Sequence, residues 1–372
     1  MTRREFASVP LSAALLASPA EPQPVSLFDG KSLAGWSVQD GPESAFYVQD
    51  GAIVIHEGSN FPTWLRSDKQ YENFDFECEF FLKGWANSGI YFHAPEHGRN
   101  TWCGFKINLF HQQDQQPRPE SVGAVFPLVP PSKVNVKNKG EWNSLRIRMD
   151  WPKLEVWVNG EQVQNLDVEQ NPELRHRLRS GYLGIESLSY PLRFRNLKIL
   201  ELTPKFKWDI LYREPQDLER WVVAQGNAKW ETLGPVLRAD NVGYLATKEK
   251  YRDFIFQTYI RGSRFHNGGI IFRADSTATT DHYEIQLHDV EGAVYPTGSL
   301  YHFQRAAYPR IEPEQWYLFQ LFVKDQDCLV RINGETVVDY HKLTRLTAGP
   351  IMIQAHQNNR WVEYKDMKVK RL

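Results

Sequence analysis

The segment from His282 to Asp289, HYEIQLHD, alternates apolar side chains with side chains that can carry out acid–base chemistry. Successive side chains of a β-strand point to opposite faces. We therefore expect Tyr283, Ile285 and Leu287 in a hydrophobic core. The opposite face holds two imidazoles, a carboxylate and an amide, from His282, Glu284, Gln286 and His288. Carboxylates and imidazoles can transfer protons and amides can bind hydroxyl groups, so this face predicts a functional site.

Two other segments show the same alternation. GIIFRAD, residues 269–275, places Ile270 and Phe272 on the apolar side and Arg273 on the polar side. IMIQAHQ, residues 351–357, places Gln354 and His356 on the polar side. If the three strands are neighbours, their polar side chains form one surface: Arg273, Glu284, Gln286, His288, Gln354 and His356. Three residues that flank this surface are further candidates for substrate binding: Asn267, Asp289 and Tyr301.

A solvent-exposed outer sheet is the alternative explanation for this polar face. Such faces usually carry Lys, Glu, Thr and Ser, whereas this one is rich in Gln, His and Arg and is flanked by the aromatic residues Tyr295, Tyr301 and Phe303. Aromatic rings can stack on a sugar ring, while amides and Arg can bond its hydroxyls. The composition therefore favours a carbohydrate as the ligand.

The chain contains two copies of one unit. NSGIYFHAP, which begins at Asn87, recurs as NGGIIFRAD from Asn267, and LEVWVNGEQV recurs as CLVRINGETV. The order of the matching segments is kept and their spacing nearly so, which indicates an internal duplication. The repeats predict domains at residues 25–203 and 206–372, joined near Pro204.

Each unit has the pattern of an antiparallel β-sandwich. Short runs rich in Val, Ile, Phe, Tyr and Trp are separated by Gly, Asn, Asp and Pro. The VNGE and INGE segments predict tight hairpins, because Asn-Gly tolerates the positive φ angles of two-residue turns. Helix is scarce, and the best candidate is NPELRHRLRSG, residues 171–181, with Asn171 as cap. The predicted fold is all-β, with two tandem sandwiches.

The first unit carries a different set of polar residues on the matching face. Lys106 and Asn108 stand where the second unit has Glu284 and Gln286, His93 replaces Arg273, and Glu186 replaces Gln354. With Asn87, these four are candidates for substrate binding. The second unit is better equipped for acid–base chemistry, so we expect catalysis there.

The composition argues against some partners. Lys and Arg total 44 and Asp and Glu total 45, which gives a formal net charge of -1. The sequence has no stripe of basic residues of the kind that binds nucleic acid.

Residues 1–20 resemble a twin-arginine targeting segment, with Arg3 and Arg4 ahead of an apolar run and small residues near Ala20. No later segment has the roughly 20 apolar residues that span a bilayer. The expectation is an exported protein, periplasmic or extracellular, with no membrane partner.

The repeated segments resemble the 3-keto-disaccharide hydrolase family, which has a concanavalin A-like lectin/glucanase sandwich of jelly-roll type. The resemblance covers nearly all of the chain after residue 20, as two copies. In the first copy its carriers include LFDGKSLAGW, NSGIYF and VWVNGE. In the second they include NGGIIFR, YEIQLHD, TGSLYH and GPIMIQAH. The first copy lacks the YE.Q strand, and Gly268 of the second replaces the usual Ser of NSGI.

The resemblance implies cleavage of glycosides whose sugar is oxidised at carbon 3. A ketone there acidifies the proton on carbon 2, so a base can form an enolate that expels the group on carbon 1, and water then adds. We expect Glu284 and His356 to share the base and acid roles, with Arg273 stabilising the enolate oxygen. Gln286, His288 and Gln354 would anchor hydroxyl groups. A divalent cation could replace Arg273, since such sites draw oxygens from loops.

Two other functions are compatible with these residues. The same sandwich hosts lectins, so the protein could bind carbohydrate without catalysis. Hydrolysis of ordinary glycosides needs two carboxylates about 5 to 9.5 Å apart on one face. Asp75, Glu77 and Glu79 form an acidic row, but the second unit lacks it, which favours a solvent-facing surface.

Overall fold

Antiparallel β-strands account for most of the regular structure in both halves of the chain. The computed structural model describes residues 23–58, 62–112, 114–275, 281–290, 292–307 and 311–372. The targeting segment predicted at residues 1–20 lies outside these ranges. No helix in the described part of the chain is long and apolar enough to cross a membrane.

The first domain is a sandwich of two sheets. Its strands are β1 Val25–Ser26, β2 Trp36–Gln39, β3 Phe46–Gln49, β4 Ala52–Ile55, β5 Thr63–Tyr71, β6 Phe74–Leu82, β7 Asn87–Ala94, β8 Phe105–Phe110, β9 Trp142–Asp150, β10 Lys153–Val158, β11 Glu161–Asp167, β12 Gly181–Ser187 and β13 Leu192–Glu201. One sheet has the order β11-β10-β9-β6-β13-β4-β3, with β1 beside β13, and the other has the order β2-β5-β12-β7-β8. Apolar side chains from both sheets fill the space between them.

The second domain repeats this arrangement with continuous strands. Its strands are β14 Asp209–Tyr212, β15 Trp221–Gly226, β16 Lys229–Leu233, β17 Val236–Tyr251, β18 Phe254–Gly262, β19 Asn267–Phe272, β20 Tyr283–His288, β21 Tyr317–Lys324, β22 Asp327–Ile332, β23 Glu335–Tyr340 and β24 Gly349–Arg371. Strands β17 and β24 run through both layers, bending near Asn241 and Asn359, whose φ angles are 69° and 58°. The two layers therefore belong to one hydrogen-bonded sheet.

The predicted all-β fold with two tandem sandwiches is confirmed. Both Asn-Gly turns close hairpins with positive φ at each position: 50° and 80° at Asn159 and Gly160, and 48° and 82° at Asn333 and Gly334. The alternation predicted for β20 also holds, because Tyr283, Ile285 and Leu287 are buried in the core of the second domain.

The helix predicted at residues 171–181 is wrong. The described helices are α1 Asn100–Cys103 and two short 3-10 helices, Glu43–Ala45 and Pro215–Arg220. Asn171 does accept a hydrogen bond from the Glu173 N–H at its side chain, but only turns follow. The Arg177 guanidinium is drawn inward to the carbonyl oxygens of Thr101 and Gly104, each at 2.9 Å. These contacts hold the segment against α1.

The two domains contact each other directly. The Glu96 N–H donates to the Tyr259 hydroxyl at 2.9 Å, and the Lys365 ammonium donates to the Glu96 carboxylate at 2.9 Å. The Arg331 guanidinium donates to the carbonyl oxygen of His176. The contacts of Glu96 join the two domains, and the contact between Arg331 and His176 holds the segment 169–179 against the second sandwich.

Strands β19 and β24 approach closely at Gly268. A Cβ atom there would lie 2.5 Å from the Gln354 carbonyl oxygen. At the matching position of the first domain, the Ser88 hydroxyl fits and donates to the Glu186 carbonyl at 2.7 Å. The second domain thus requires Gly268, where the family pattern has Ser, because β19 and β24 lie too close together for a side chain.

Replacing Gly268 with Ser should destabilise the second domain by about 1–3 kcal/mol, because the backbone of β24 must move to admit the side chain. Urea unfolding followed by tryptophan fluorescence measures the change. The matched control is Ser88→Gly, which loses one hydrogen bond but creates no clash. An unchanged unfolding midpoint for Gly268→Ser would show that the strands are not held at this spacing.

Candidate functional site

A cavity lies on the outer face of the second domain, above the sheet formed by β20, β19, the first half of β24 and the second half of β17. Its volume is about 470 Å³, within the range of small-molecule sites. Its walls combine one carboxylate, two imidazoles, three amides and two phenols with one aliphatic side chain: Asn267, Glu284, Gln286, His288, Val294, Tyr295, Tyr301, Gln354 and His356. Seven of these residues were predicted from the sequence as site residues, and the structure brings them together.

The strand register explains why these side chains meet. Gly269 pairs with Gln286 of β20 on one side and with Gln354 of β24 on the other. Gln354 in turn pairs with Tyr244 of β17. Side chains that are directly opposite across neighbouring strands share a face. The register therefore places two amides and a phenol in one row across four strands, with Gly269 between the amides.

A second row lies one step along the strands. Asn267 pairs with His288, and the neighbouring pair of Gly268 with Ala355 places Asn267 level with His356. The row therefore holds an amide between two imidazoles. Glu284 lies on the other side of the Gly269 row, where it pairs with Ile271.

Gly269 forms the floor of the cavity because it has no side chain. A Cβ atom at this position would collide with the Glu284 carboxylate, whose Cγ and Cδ would both lie 2.9 Å away. The Glu284 side chain therefore leans across Gly269, towards the row of amides. Its carboxylate is 3.9 Å from the ring of His282. The missing side chain gives both the carboxylate and a ligand access to the surface of the sheet.

Two hydrogen bonds orient the amides. Gln286 donates from Nε2 to the Oδ1 of Asn267 at 2.6 Å, which directs the Nδ2 group of Asn267 to the other side of its amide. Gln354 donates from Nε2 to the Tyr244 hydroxyl at 2.7 Å, which leaves its Oε1 oriented as an acceptor. Because these contacts are made before any ligand arrives, the amides are pre-organised to bind hydroxyl or carbonyl groups.

The imidazoles differ in environment. Burial lowers the pKa of His288 below its ordinary value, and the positive charge that His356 can carry lowers it further, while Asp289 opposes both. His288 is therefore uncharged at neutral pH and can accept a proton or a hydrogen bond. His356 is exposed at the mouth of the cavity, where it can reach a group that extends into solvent.

A loop supplies the aromatic wall. The Tyr301 N–H donates to the Glu284 carbonyl at 2.9 Å, and the Gln286 N–H donates to the Ser299 carbonyl at 2.9 Å. These bonds hold the segment 297–304 along the edge of β20. The rings of Tyr295 and Tyr301 meet edge to face at 5.2 Å. Such rings provide an apolar surface on which a sugar can stack.

The role predicted for Arg273 as enolate stabiliser is wrong. Its side chain is fully buried; the guanidinium donates to the carbonyl oxygens of Arg252, Asp325 and Arg345 and forms an ion pair with Asp253 at 2.8 Å. The reason is local: β19 ends at Phe272, and Arg273 has a φ of 50°. The alternation of faces holds only for extended backbone, so it fails here.

His93 departs from its prediction for the same reason. Its φ is 49°, its side chain is fully buried, and its ring nitrogens contact the carbonyl oxygens of Leu178 at 2.9 Å and Glu72 at 2.6 Å. Asp289 also lies outside the lining of the cavity, and its carboxylate accepts a hydrogen bond from the Phe265 N–H at 3.3 Å. These residues support the fold around the sheet.

The first domain has the same rows, but its polar residues are bound to one another. The Lys106 ammonium forms an ion pair with the Glu186 carboxylate, which also accepts a 2.5 Å hydrogen bond from the Tyr91 hydroxyl. Lys106 and Glu186 are both buried, and Asn108, also buried, donates to the Glu120 carbonyl. Asn87, the partner of Asn267 in the repeat, is half-buried. Substrate binding by Lys106, Asn108 and Glu186, as predicted, would require this network to open.

The acidic row of the first domain is neutralised by arginines. Asp75 accepts hydrogen bonds from Arg146 at 2.6 and 2.8 Å and from Arg148 at 3.2 Å. Glu79 forms an ion pair with Arg195 at 2.5 Å. Carboxylates held in this way are poorly suited to act as nucleophile or acid.

Sequence reasoning missed Tyr244 and Gly269. Tyr244 joins the site because β17 pairs with β24, and the sequence of β17 alone does not reveal that pairing. The repeat does give a signal, because Trp64 of the first domain pairs with Glu186 as Tyr244 pairs with Gln354. Gly269 has a matching signal in the first domain, where a Cβ on Gly89 would collide with Lys106. Within the described ranges, no three His, Cys, Asp or Glu side chains are grouped so that they could hold a metal ion.

Comparisons with known proteins identify a family. The family model described as 3-keto-alpha-glucoside-1,2-lyase-like domain matches residues 23–200 and again residues 207–370. None of the curated proteins compared with the chain matches it.

Solved structures with similar folds include a Parabacteroides distasonis protein provisionally assigned as a glycosyl hydrolase, with 22% identity over 48% of this chain and 94% of that one, at a TM-score of 0.43. The carbohydrate binding module CBM66 from Bacillus subtilis is 14% identical, over 41% of this chain and 95% of that one, at a TM-score of 0.30.

The buried ion pair of Lys106 and Glu186 should contribute to the stability of the first domain. Lys106→Met or Glu186→Gln alone should destabilise the first domain by about 3–5 kcal/mol, because each leaves its partner buried without full compensation. The double variant should recover a large part of that loss. Urea unfolding of the four proteins measures the coupling.

An exposed ion pair serves as the control. Lys69 and Glu201 are 2.5 Å apart and about half exposed, so the same substitutions there should cost no more than about 1 kcal/mol. Additive losses at Lys106 and Glu186 would contradict the ion pair.

Proposed function

The chain belongs to the family of 3-keto-alpha-glucoside-1,2-lyase-like domains, and we propose that the cavity of its second domain binds a glycoside oxidised at carbon 3 and cleaves the bond at carbon 1. One observation carries the proposal: Glu284, His288 and His356 line the same cavity as three amides and two tyrosines. That set supplies a base, an acid, hydroxyl ligands and a stacking surface. The sugar is the ligand that uses all of them.

The reaction begins with removal of the proton from carbon 2. The ketone at carbon 3 stabilises the resulting carbanion as an enolate, whose negative charge lies on the oxygen at carbon 3. Collapse of the enolate forms a double bond between carbons 1 and 2 and breaks the bond to the leaving group, whose oxygen takes up a proton. Water then adds at carbon 1 and a proton returns to carbon 2, which completes a net hydrolysis.

Glu284 is the proposed base. Its carboxylate leans over Gly269 at the floor of the cavity, so it can contact a ring that lies against the sheet. It is a carboxylate in a partly buried site with the His282 imidazole nearby, and neither Lys nor Arg is among the described residues that line the cavity. A general base in hydrogen-bond reach of its proton contributes about 10²–10⁴ to the rate.

His356 is the proposed acid for the leaving group. It lies at the mouth of the cavity, where the second sugar or other aglycone would emerge into solvent. His288, uncharged because burial lowers its pKa, lies in the same row and is suited to bind a hydroxyl group.

Asn267 is the proposed donor to the enolate oxygen in place of Arg273. Gln286 occupies its Oδ1 at 2.6 Å, and this contact turns the Nδ2 group outward. A neutral donor fixed in place can stabilise developing charge in a site shielded from water. Gln354, held by Tyr244, would accept a hydroxyl hydrogen of the same ring.

Replacing Glu284 with Gln should lower kcat for a 3-keto disaccharide by about 10²–10⁴, because the amide cannot take up the proton. KM should change less than kcat, since the shape of the side chain is kept. Product release measured by chromatography gives both constants.

Glu231→Gln is the matched control, because this carboxylate is partly exposed, lies outside the lining of the cavity and forms an ion pair with Lys229 at 3.2 Å; the variant should retain full activity. Full activity in Glu284→Gln would remove this residue from the base role. Saturable binding of sugars without turnover by the unaltered protein would instead favour the alternative, a carbohydrate-binding protein without catalysis.

We also propose that the protein is exported through residues 1–20. Expression in a bacterium with a twin-arginine pathway should yield a periplasmic protein whose mature N-terminus lies near Glu21, as measured by mass spectrometry. Arg3→Lys combined with Arg4→Lys should leave the full-length chain in the cytoplasm. Cytoplasmic, uncleaved protein from the unaltered sequence would contradict export.

A further inference from the structure

We propose that a cleft between the two domains is a second saccharide-binding site, separate from the cavity over Gly269. The cleft has a volume of about 390 Å³. Its floor is the outer face of β18, β21 and β22 of the second domain. Its walls are the segment 169–179 of the first domain and the connection at residues 206–208.

The floor carries a buried amide whose oxygen accepts no hydrogen bond. Gln257 and Gln320 are directly opposite each other on β18 and β21, and both are buried. Gln320 donates from Nε2 to the Gln257 Oε1 at 3.3 Å, while the Oε1 of Gln320 is buried without a hydrogen bond. An unsatisfied buried acceptor is costly, so this floor is completed when a donor such as a hydroxyl group occupies the cleft.

Aromatic rings line the walls. Phe206 and Trp208 pack edge to face at 5.0 Å, and the His176 ring contacts Phe322 at 4.6 Å. Burial lowers the pKa of His176 to about 4, so its ring is uncharged at neutral pH. All four rings are only partly buried, and they leave apolar surface beside the amide floor. Amides beneath a ring surface are the combination that binds the polar edge and apolar face of a sugar.

The charges around the cleft largely compensate one another. Arg179 pairs with Glu169 at 2.9 Å, and His341 contacts Asp327 at 2.8 Å and Asp339 at 3.2 Å. Arg177 is occupied by carbonyl oxygens. Arg175, which donates to the His176 ring, and Lys324 also line the cleft. A strongly cationic ligand would be repelled by these groups, and a strongly anionic one by the carboxylates of Glu169, Asp327 and Asp339. A neutral polyhydroxylated ligand meets neither repulsion, which favours a saccharide over a charged metabolite.

The repeat shows that the amides are particular to this face of the second domain. The equivalent pair in the first domain is Glu77 and Arg146, which are also directly opposite each other and lie on an open surface. The first domain covers this face of the second domain and excludes water from it, and charged side chains are costly where water is excluded. Two amides remain compatible with that burial and still offer hydrogen bonds to a ligand.

The two sites are independent of each other. The cavity and the cleft lie over the outer faces of opposite layers of the second sandwich, with the core between them. Binding in the cleft therefore does not rest on the proposed catalysis. It would give the protein a second point of attachment to an oligosaccharide or polysaccharide.

Isothermal titration of the full chain with maltose, trehalose and cellobiose tests the proposal. The expected result is that Gln320→Leu raises the dissociation constant of one binding event by at least about tenfold, because the variant loses a hydrogen bond to the ligand. Gln286→Leu, in the other cavity, should leave that event intact. Turnover of a 3-keto disaccharide by Gln320→Leu should be unchanged. The binding data therefore test the cleft site, and the turnover data test catalysis in the cavity.

Gln326→Leu, which makes the same change at an exposed position, is the control. Trp208→Ala provides a second variant if Gln320→Leu alters the fold, which thermal unfolding would reveal. Binding of all three sugars that is identical in the unaltered protein, Gln320→Leu and Trp208→Ala would overturn the cleft site. Binding that is lost only with Gln286→Leu would do the same.

Discussion

The register of β20, β19, β24 and β17 is the constraint on which the candidate site depends. Backbone hydrogen bonds set Gln286, Gly269, Gln354 and Tyr244 in one row across these strands. A shift by one residue would turn every one of these side chains towards the core. The apolar side chains of the same strands prevent such a shift, because they fill the sandwich interior. The core thus fixes the positions of the polar groups without touching them.

Gly269 adds a second condition within this register. Its missing side chain lets the Glu284 carboxylate lean over the sheet, beside amides that are already oriented by Asn267 and Tyr244. The chemistry therefore comes from groups on regular strands, while the loop at residues 297–304 contributes the aromatic wall. A site built on strands is held more rigidly than one built on loops, which suits proton transfer between a fixed base and a bound ring.

The two domains carry different side chains on the same framework of strands. The first domain keeps the glycine, as Gly89, and the same strand pairing. Its lysine and glutamate neutralise each other, and the Tyr91 hydroxyl donates a hydrogen bond to the glutamate. The second domain has a carboxylate at the position of that lysine, and its cavity is open. The outer faces differ as well, since the first domain has the ion pair of Glu77 and Arg146 where the second has the amide pair that faces the cleft between the domains.

Much of this protein was predictable from the sequence because its determinants are local or periodic. The alternation in HYEIQLHD depends only on the geometry of an extended strand, the Asn-Gly turns only on permitted φ angles, and the two domains on internal repetition. These features established the all-β fold and most of the residues that line the cavity. The predictions for Arg273 and His93 failed because each residue has a positive φ at the end of its strand, Arg273 just after β19 and His93 in the last two residues of β7. The predicted helix at 171–181 gave way to contacts with α1. The sequence determined which side chains share a face. Only the tertiary structure decided which strands are neighbours, which polar groups neutralise each other and which cavities stay open, because those depend on contacts between residues far apart in the chain.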